Sequence, residues 1–274
     1  MILRPLDDPA NKIVRAAAHL MRSRAARERS RQTVLEGPHL VEEALRAGVR
    51  ICSVLYSSRL TRLRNGEALL DRVTGGAIRT VYVTDRLLDS LSEVEQHQGI
   101  VAVAEMAVKT SEVLDGPPVL VLNAVQDPGN VGALIRTAAA FGFGVALTAG
   151  TADPLNPKVL RASAGALFHV GPVRLADVFT VDAGVSLVAA DPHHGVDFRD
   201  WDWTEAAALV VGNEGAGVDP AIRDRRPGLV RIPMAPGLES LNVAVAAGIL
   251  LAEAHRRFTG GAAHATVHKS SRTS

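Results

Sequence analysis

A single cysteine, Cys52, stands in 274 residues. That excludes an internal disulfide framework and fits a reducing compartment. Aromatic residues make up 4% of the chain, so the cores must rest on Ala, Val and Leu, and little is available for stacking single-stranded bases. No apolar run reaches the roughly 18 residues of a membrane span. The N-terminal residues carry charges without the apolar centre of a secretion signal, so a cytoplasmic protein is expected. Walker loops, G-x-G-x-x-G fingerprints, G-x-S-x-G elbows and Cys/His nucleophile pairs are missing as well, which argues against the familiar nucleotide-cradling and acyl-transfer enzymes. His193-His194 follows Asp191-Pro192, but no second Cys/His pair has ligand spacing. We read the doublet as part of a loop and expect no metal.

The composition that remains is ordinary for a globular protein, 47% hydrophobic and 22% charged. The length suggests about two domains. A net charge of +1 hides a local bias: from Lys12 to Arg31 the basic residues Lys12, Arg15, Arg22, Arg24, Arg27, Arg29 and Arg31 face only Glu28. Residues 1–31 read as a basic helical leader, with Ile13, Ala17, Leu20 and Met21 at helical spacing. From 32 to 106 short strands such as ICSVLYSS and GIVAVAEM alternate with helices in a small α/β sandwich. A polar, Pro-containing stretch, 107–118, reads as a linker. From 119 to 258 the strands VLVLNA, VALTAG, VSLVAA, ALVVG and LVRIP alternate with helices expected near Asn130, Pro157, Ala176 and Asp219. Apolar strands separated by helices argue for a parallel sheet covered on both faces. A Gly-, Ser- and His-rich tail, 259–274, is expected to be disordered.

Three segments of the second half carry polar residues on tight turns at strand ends: NAVQDPGNVGALIRTAAAFG, LVVGNEGAGVD and IPMAPGLESLNVAVAAG. In the first, Asn130 is placed to cap a helix and Arg136 lies off its apolar stripe. In the second, glycines around Asn213 and Glu214 permit close approach of a ligand to the backbone, and the glutamate disfavours phosphate. In the third, Ser240 is placed to cap the last helix and Asn242 sits in its first turn. Each is bland alone. Together, at the C-terminal ends of strands, they point to one crevice.

In type, order and spacing the three segments resemble the signature motifs of the SpoU (TrmH) family of RNA ribose 2′-O-methyltransferases, in the SPOUT superfamily. VLEGPHLVEEALRAGV and HQGIVAVAE resemble the substrate-binding domain often found ahead of the catalytic one. The resemblance implies an α/β catalytic domain with a parallel sheet and a deep trefoil knot, preceded by the small α/β RNA-binding domain. It implies S-adenosylmethionine as cofactor, in a pocket formed around Gly212, Asn213, Ile232, Met234 and Leu241. Arg136, Asn130, Glu214, Ser240 and Asn242 fall on the family's catalytic positions, with Arg136 supplied across a homodimer packed through the knotted domain. Arg161, in RASAGA, resembles an arginine that meets RNA, and Arg22, Arg24 and Arg27 of the leader are the further RNA-binding candidates. The expected partner is large-subunit ribosomal RNA, with neither membrane nor DNA. The alternatives are methylation of transfer RNA, or a non-catalytic RNA-binding factor in ribosome assembly.

Overall fold

The computed structural model describes residues 4–76, 78–92, 97–111, 118–176, 186–203 and 208–269, the side chains as far as Thr259. The helix expected near Ala176 and half of the linker, residues 112–117, lie outside those residues. Contacts divide the chain into two compact units, residues 1–108 with 153–169, and residues 109–152 with 170–274. No described helix is long and apolar enough to cross a membrane.

The first unit runs α1 (Lys12–Arg22), α2 (Arg24–Ser30), β1 (Gln32–Glu36), α3 (Pro38–Arg46), β2 (Ile51–Tyr56), α4 (Ser58–Thr61), α5 (Gly66–Thr74), β3 (Arg79–Tyr82), α6 (Asp85–Leu91) and β4 (Ile100–Glu105). Its sheet has the order β1-β4-β2-β3. Ile100 to Ala104 of β4 are all buried, as a central strand covered on both faces requires. The leader forms two helices rather than one. Ser23 is extended and its Oγ accepts the Ala26 N–H at 3.1 Å, ending α1 and capping α2. Val14, Ala17, Leu20 and Ala26 pack with Val34, Leu55, Leu87, Leu88 and Val103. The residues expected to form a separate leader are therefore part of the first unit's core.

The second unit continues with β5 (Lys109–Ser111), β6 (Val119–Leu122), α7 (Pro128–Ala140) and β7 (Gly144–Leu147). The excursion to the first unit carries α8 (Pro157–Ser163), and α9 (Leu167–Val170) begins in it. Then come β8 (Val173–Leu175), β9 (Leu187–Ala190), β10 (Val196–Asp197), β11 (Ala208–Val211), α10 (Pro220–Arg223), β12 (Gly228–Arg231) and α11 (Val243–Lys269). The eight strands have the order β10-β12-β9-β11-β6-β7-β8-β5, and every pairing is parallel. β6 and β11 are buried throughout because they lie mid-sheet. β5 occupies residues read as linker. α11 continues to Lys269, past the point near Phe258 where the tail was expected to lose structure. The neighbouring alanines, Ala262, Ala263 and Ala265, favour that continuation.

Candidate active site

A parallel sheet delivers all its C-terminal strand ends to one edge, and the order β12-β9-β11-β6 sets four connections side by side there. Those after β9, β11 and β12 line a cavity of about 770 Å³, within the roughly 300–1,000 Å³ of small-molecule sites. Gly212, Asn213, Ile232, Met234 and Leu241 all line it, with Glu214, Ser240 and Asn242.

The loop after β11 is shaped by two residues. Asn213 accepts the N–H groups of Gly215 and Ala216 on its Oδ1, both at 2.9 Å, and donates from Nδ2 to the Ala124 carbonyl at 3.0 Å. Gly212 has no room for a side chain, since a Cβ there would meet the Gly217 carbonyl carbon at 2.3 Å. The Asn213 side chain is thus spent on the loop.

The helix caps lie two or three residues from where the sequence reading put them. Asp127 caps α7, its Oδ1 accepting the Asn130 N–H at 2.8 Å with Pro128 in the first position. Asn242, rather than Ser240, caps α11 by accepting from Ala244 N at 2.9 Å and Val245 N at 3.3 Å. These shifts free the Asn130 side chain. It donates to Glu214 Oε1 at 2.9 Å and accepts Asn242 Nδ2 at 3.0 Å, so the three motifs meet in one hydrogen-bond chain.

Arg136 is exposed on α7, is not among the cavity's lining residues, and makes no hydrogen bond or ion pair among the described residues. The expected RNA contacts fare unevenly. Arg22 is exposed. Arg24 is exposed but holds Glu28 at 2.8 Å. Arg27 is 3% exposed. Its guanidinium pairs with Asp153 at 2.7 Å and donates to the Leu20 carbonyl at 2.7 Å. It holds the first unit together and has no face left for a phosphate, which corrects the expectation. Arg161 belongs to the first unit and is paired with the buried Glu36 carboxylate.

The residues read as a plain loop doublet form one wall of the cavity. Asp191, His193, His194 and Arg223 line it because β9 lies between β11 and β12. Burial pushes the Asp191 carboxyl up, but the His193 and His194 backbone N–H groups and the His194 ring outweigh it and hold it below the usual carboxylate range. Three metal-capable side chains are not grouped anywhere among the described residues.

The comparisons with known proteins fit this geometry. Residues 117–252 match the SpoU rRNA Methylase family, and residues 34–108 match the domain described as RNA 2'-O ribose methyltransferase substrate binding. The chain is 36% identical to the 23S rRNA (guanosine(2553)-2'-O)-methyltransferase RlmP of Bacillus subtilis, over 84% of its length and 91% of the relative's. It is 35% identical to the 23S rRNA (guanosine-2'-O-)-methyltransferase RlmB of Bordetella pertussis, over 83% and 98%. An AdoMet-bound rRNA methyltransferase from Sinorhizobium meliloti superposes with a TM-score of 0.79 at 29% identity, covering 93% of this chain and 98% of that one. The chain belongs to the SpoU family of RNA 2′-O-methyltransferases, on the SPOUT α/β fold, and the family's methyl donor is S-adenosylmethionine.

Proposed function

We propose that this chain transfers a methyl group from S-adenosylmethionine to a ribose 2′-hydroxyl of structured RNA, with large-subunit ribosomal RNA as substrate. The observation that carries the reading is the Asn242–Asn130–Glu214 chain of hydrogen bonds beside the cavity. It joins three separated motifs where a donor and a ribose have to meet. The 23S rRNA substrates in the names of RlmP and RlmB favour ribosomal over transfer RNA. The reading implies a cytoplasmic enzyme, with residues 32–106 recognising RNA and 119–258 catalysing.

The lining suits the donor. The small residues Gly212, Gly215 and Gly217 leave room for a nucleoside, and the apolar Ile232, Met234 and Leu241 suit an adenine face and a thioether. When bound, S-adenosylmethionine supplies a methyl group already activated on a sulfonium. The protein's work is therefore positioning, together with removal of one proton. Glu214 and Asn130 orient the ribose or an incoming guanidinium, while Ser240 and Asn242 shape the pocket mouth.

Arg136 acts in the cavity of a second copy. Leu238 (62% exposed), Leu241 (37%) and Val245 (53%) leave an apolar strip around the start of α11 that a homodimer would cover. Arg136 lies on α7, which packs against α11. A permanently protonated fork suits it to hold the hydroxyl and a neighbouring phosphate.

The test is transfer of labelled methyl groups to deproteinised ribosomal RNA and to transfer RNA, alongside calorimetric titration with S-adenosylmethionine. Label in large-subunit RNA with saturable donor binding is expected. Label in transfer RNA alone would move the substrate, and donor binding that cannot be detected would leave a non-catalytic RNA-binding factor.

A further inference from the structure

The proposed reaction requires a proton acceptor, and none of the motif residues supplies a comfortable one. Arginine is effectively always protonated, so Arg136 cannot take a proton. Glu214 already receives a hydrogen bond from Asn130. The unused wall of the cavity offers a different chemistry.

Asp191 directly follows β9 and is 5% exposed. Its Oδ1 accepts the backbone N–H groups of His193 and His194, both at 2.9 Å. The turn so formed brings the His194 Nδ1 to 3.2 Å from the same oxygen. Arg223 Nη2 lies 3.4 Å from Oδ2 and its Nε donates to the Val218 carbonyl at 3.2 Å. The turn closes on Gly195, whose φ is +108° and whose missing Cβ would meet the Leu229 carbonyl oxygen at 2.3 Å. Any other residue would displace it. An ionised carboxylate only accepts hydrogen bonds, so Nδ1 carries the ring proton and Nε2 of the neutral ring keeps its lone pair. The ring itself is 72% exposed at the cavity's edge.

We propose that His194, oriented by Asp191, accepts the proton of the ribose 2′-hydroxyl. The inference rests on the function proposed above. The 2′-oxygen bonds to the methyl carbon through a lone pair as the sulfur–carbon bond breaks, and that bond's electrons remain on sulfur as a neutral thioether. The hydroxyl proton passes to Nε2. The imidazolium formed is balanced by the Asp191 carboxylate and releases its proton to water after the product leaves. Groups facing His194 are Asp191 and His193 on its own turn, Arg223 from α10, Arg231 from β12 through its hydrogen bond to Gly195 at 3.2 Å, and Glu214 and Glu239 of the same cavity.

The test compares wild type and His194→Gln in single-turnover methyl transfer across pH, with S-adenosylhomocysteine binding followed by calorimetry. Loss of a general base removes roughly 10²–10⁴-fold in rate. A loss in that range is expected, together with loss of the ascending pH limb and unchanged binding. A His194→Gln enzyme with the wild-type rate and profile overturns the inference, and so does one that has lost affinity for S-adenosylhomocysteine. Nitrogen NMR of the wild-type ring needs no RNA and no variant. An Nδ1–H tautomer is expected, and an Nε2–H tautomer in wild type overturns the assignment. A wild type that methylates no RNA overturns the proposed function and this inference together. A methylating wild type with an indifferent His194→Gln overturns the inference alone.

Discussion

Asn130 Nδ2 donates to Glu214 Oε1 at 2.9 Å, joining residues 84 apart in the chain. The carboxylate fixes which way the amide points, since it can only accept. Asn130 Oδ1 is then left for Asn242. Asn130→Asp replaces a donor with a like charge beside Glu214. A hydrogen bond to a charged group contributes about 1.5–3 kcal/mol, equivalent to roughly a 10–100-fold slower methyl transfer. Glu214 and Asn242 are exposed and Asn130 is half-buried, so the melting temperature should hardly move. Transfer kinetics with parallel thermal melts check both halves, and an Asn130→Asp enzyme with wild-type rates contradicts the proposed site.

The loop after β11 depends on Asn213 and Gly212 in different ways. Asn213→Ala leaves the Gly215 and Ala216 N–H groups and the Ala124 carbonyl without their side-chain partner. A cost of about 1–3 kcal/mol in denaturant melts is expected, with weaker donor binding. Gly212→Ala drives a Cβ to 2.3 Å from a Gly217 backbone atom, so the loop must shift and donor binding should fall further. Calorimetry on both variants tests this, and full donor affinity in Gly212→Ala refutes it.

Arg27 and Arg22 separate a structural arginine from one proposed to face RNA. Arg27→Met strands the buried Asp153, and removing one partner of a buried pair costs roughly 3–5 kcal/mol. Adding Asp153→Leu should recover much of that loss. Arg22→Ala should change stability by no more than about 0.5 kcal/mol and lower the salt slope of RNA binding by about one. Chemical denaturation and salt-dependent binding distinguish the two. Equal effects on stability would contradict the assignment.

Acid should loosen α11 through Glu253. Its hydrogen bonds to Arg256 and Arg257 hold the carboxyl at about 2, against an ordinary 4.5. A depressed folded pKa contributes stability above the unfolded value, and that contribution is lost as pH falls from about 4.5 toward 2. Both arginines are solvent-exposed, so Glu253→Gln should cost only roughly 0.5–1 kcal/mol at neutral pH. The variant should converge with wild type near pH 2. A constant gap across that window contradicts the linkage.

What the sequence made legible follows from physics local to each segment. Runs such as VLVL and ALVV announce strands buried on both faces, and their glycine turns announce loops at one sheet edge. That was enough to point to one crevice near Glu214 and Asn242, while Gly212, Asn213, Ile232, Met234 and Leu241 came from the family resemblance; all of them line one cavity. The strands KTS, VRL and VD were not legible, because they are short and partly polar and form only by pairing with neighbours. Caps were misplaced where two good candidates stand two or three residues apart, as with Asp127 and Asn130, or Ser240 and Asn242. Arg27 was misread because its partner is 126 residues distant, and charge pattern says nothing about such a pair. Asp191 and His194 were read only as part of a loop because their place at the cavity comes from strand order, with β9 between the two motif-bearing strands.

The most direct measurement is the chemical position of the transferred methyl group. Large-subunit RNA carrying the label is hydrolysed in alkali, which cleaves every linkage that has a free 2′-hydroxyl. The account predicts that the label survives in a single alkali-resistant dinucleotide, because the group sits on a ribose oxygen. Label recovered in ordinary mononucleotides, on a base, would contradict it.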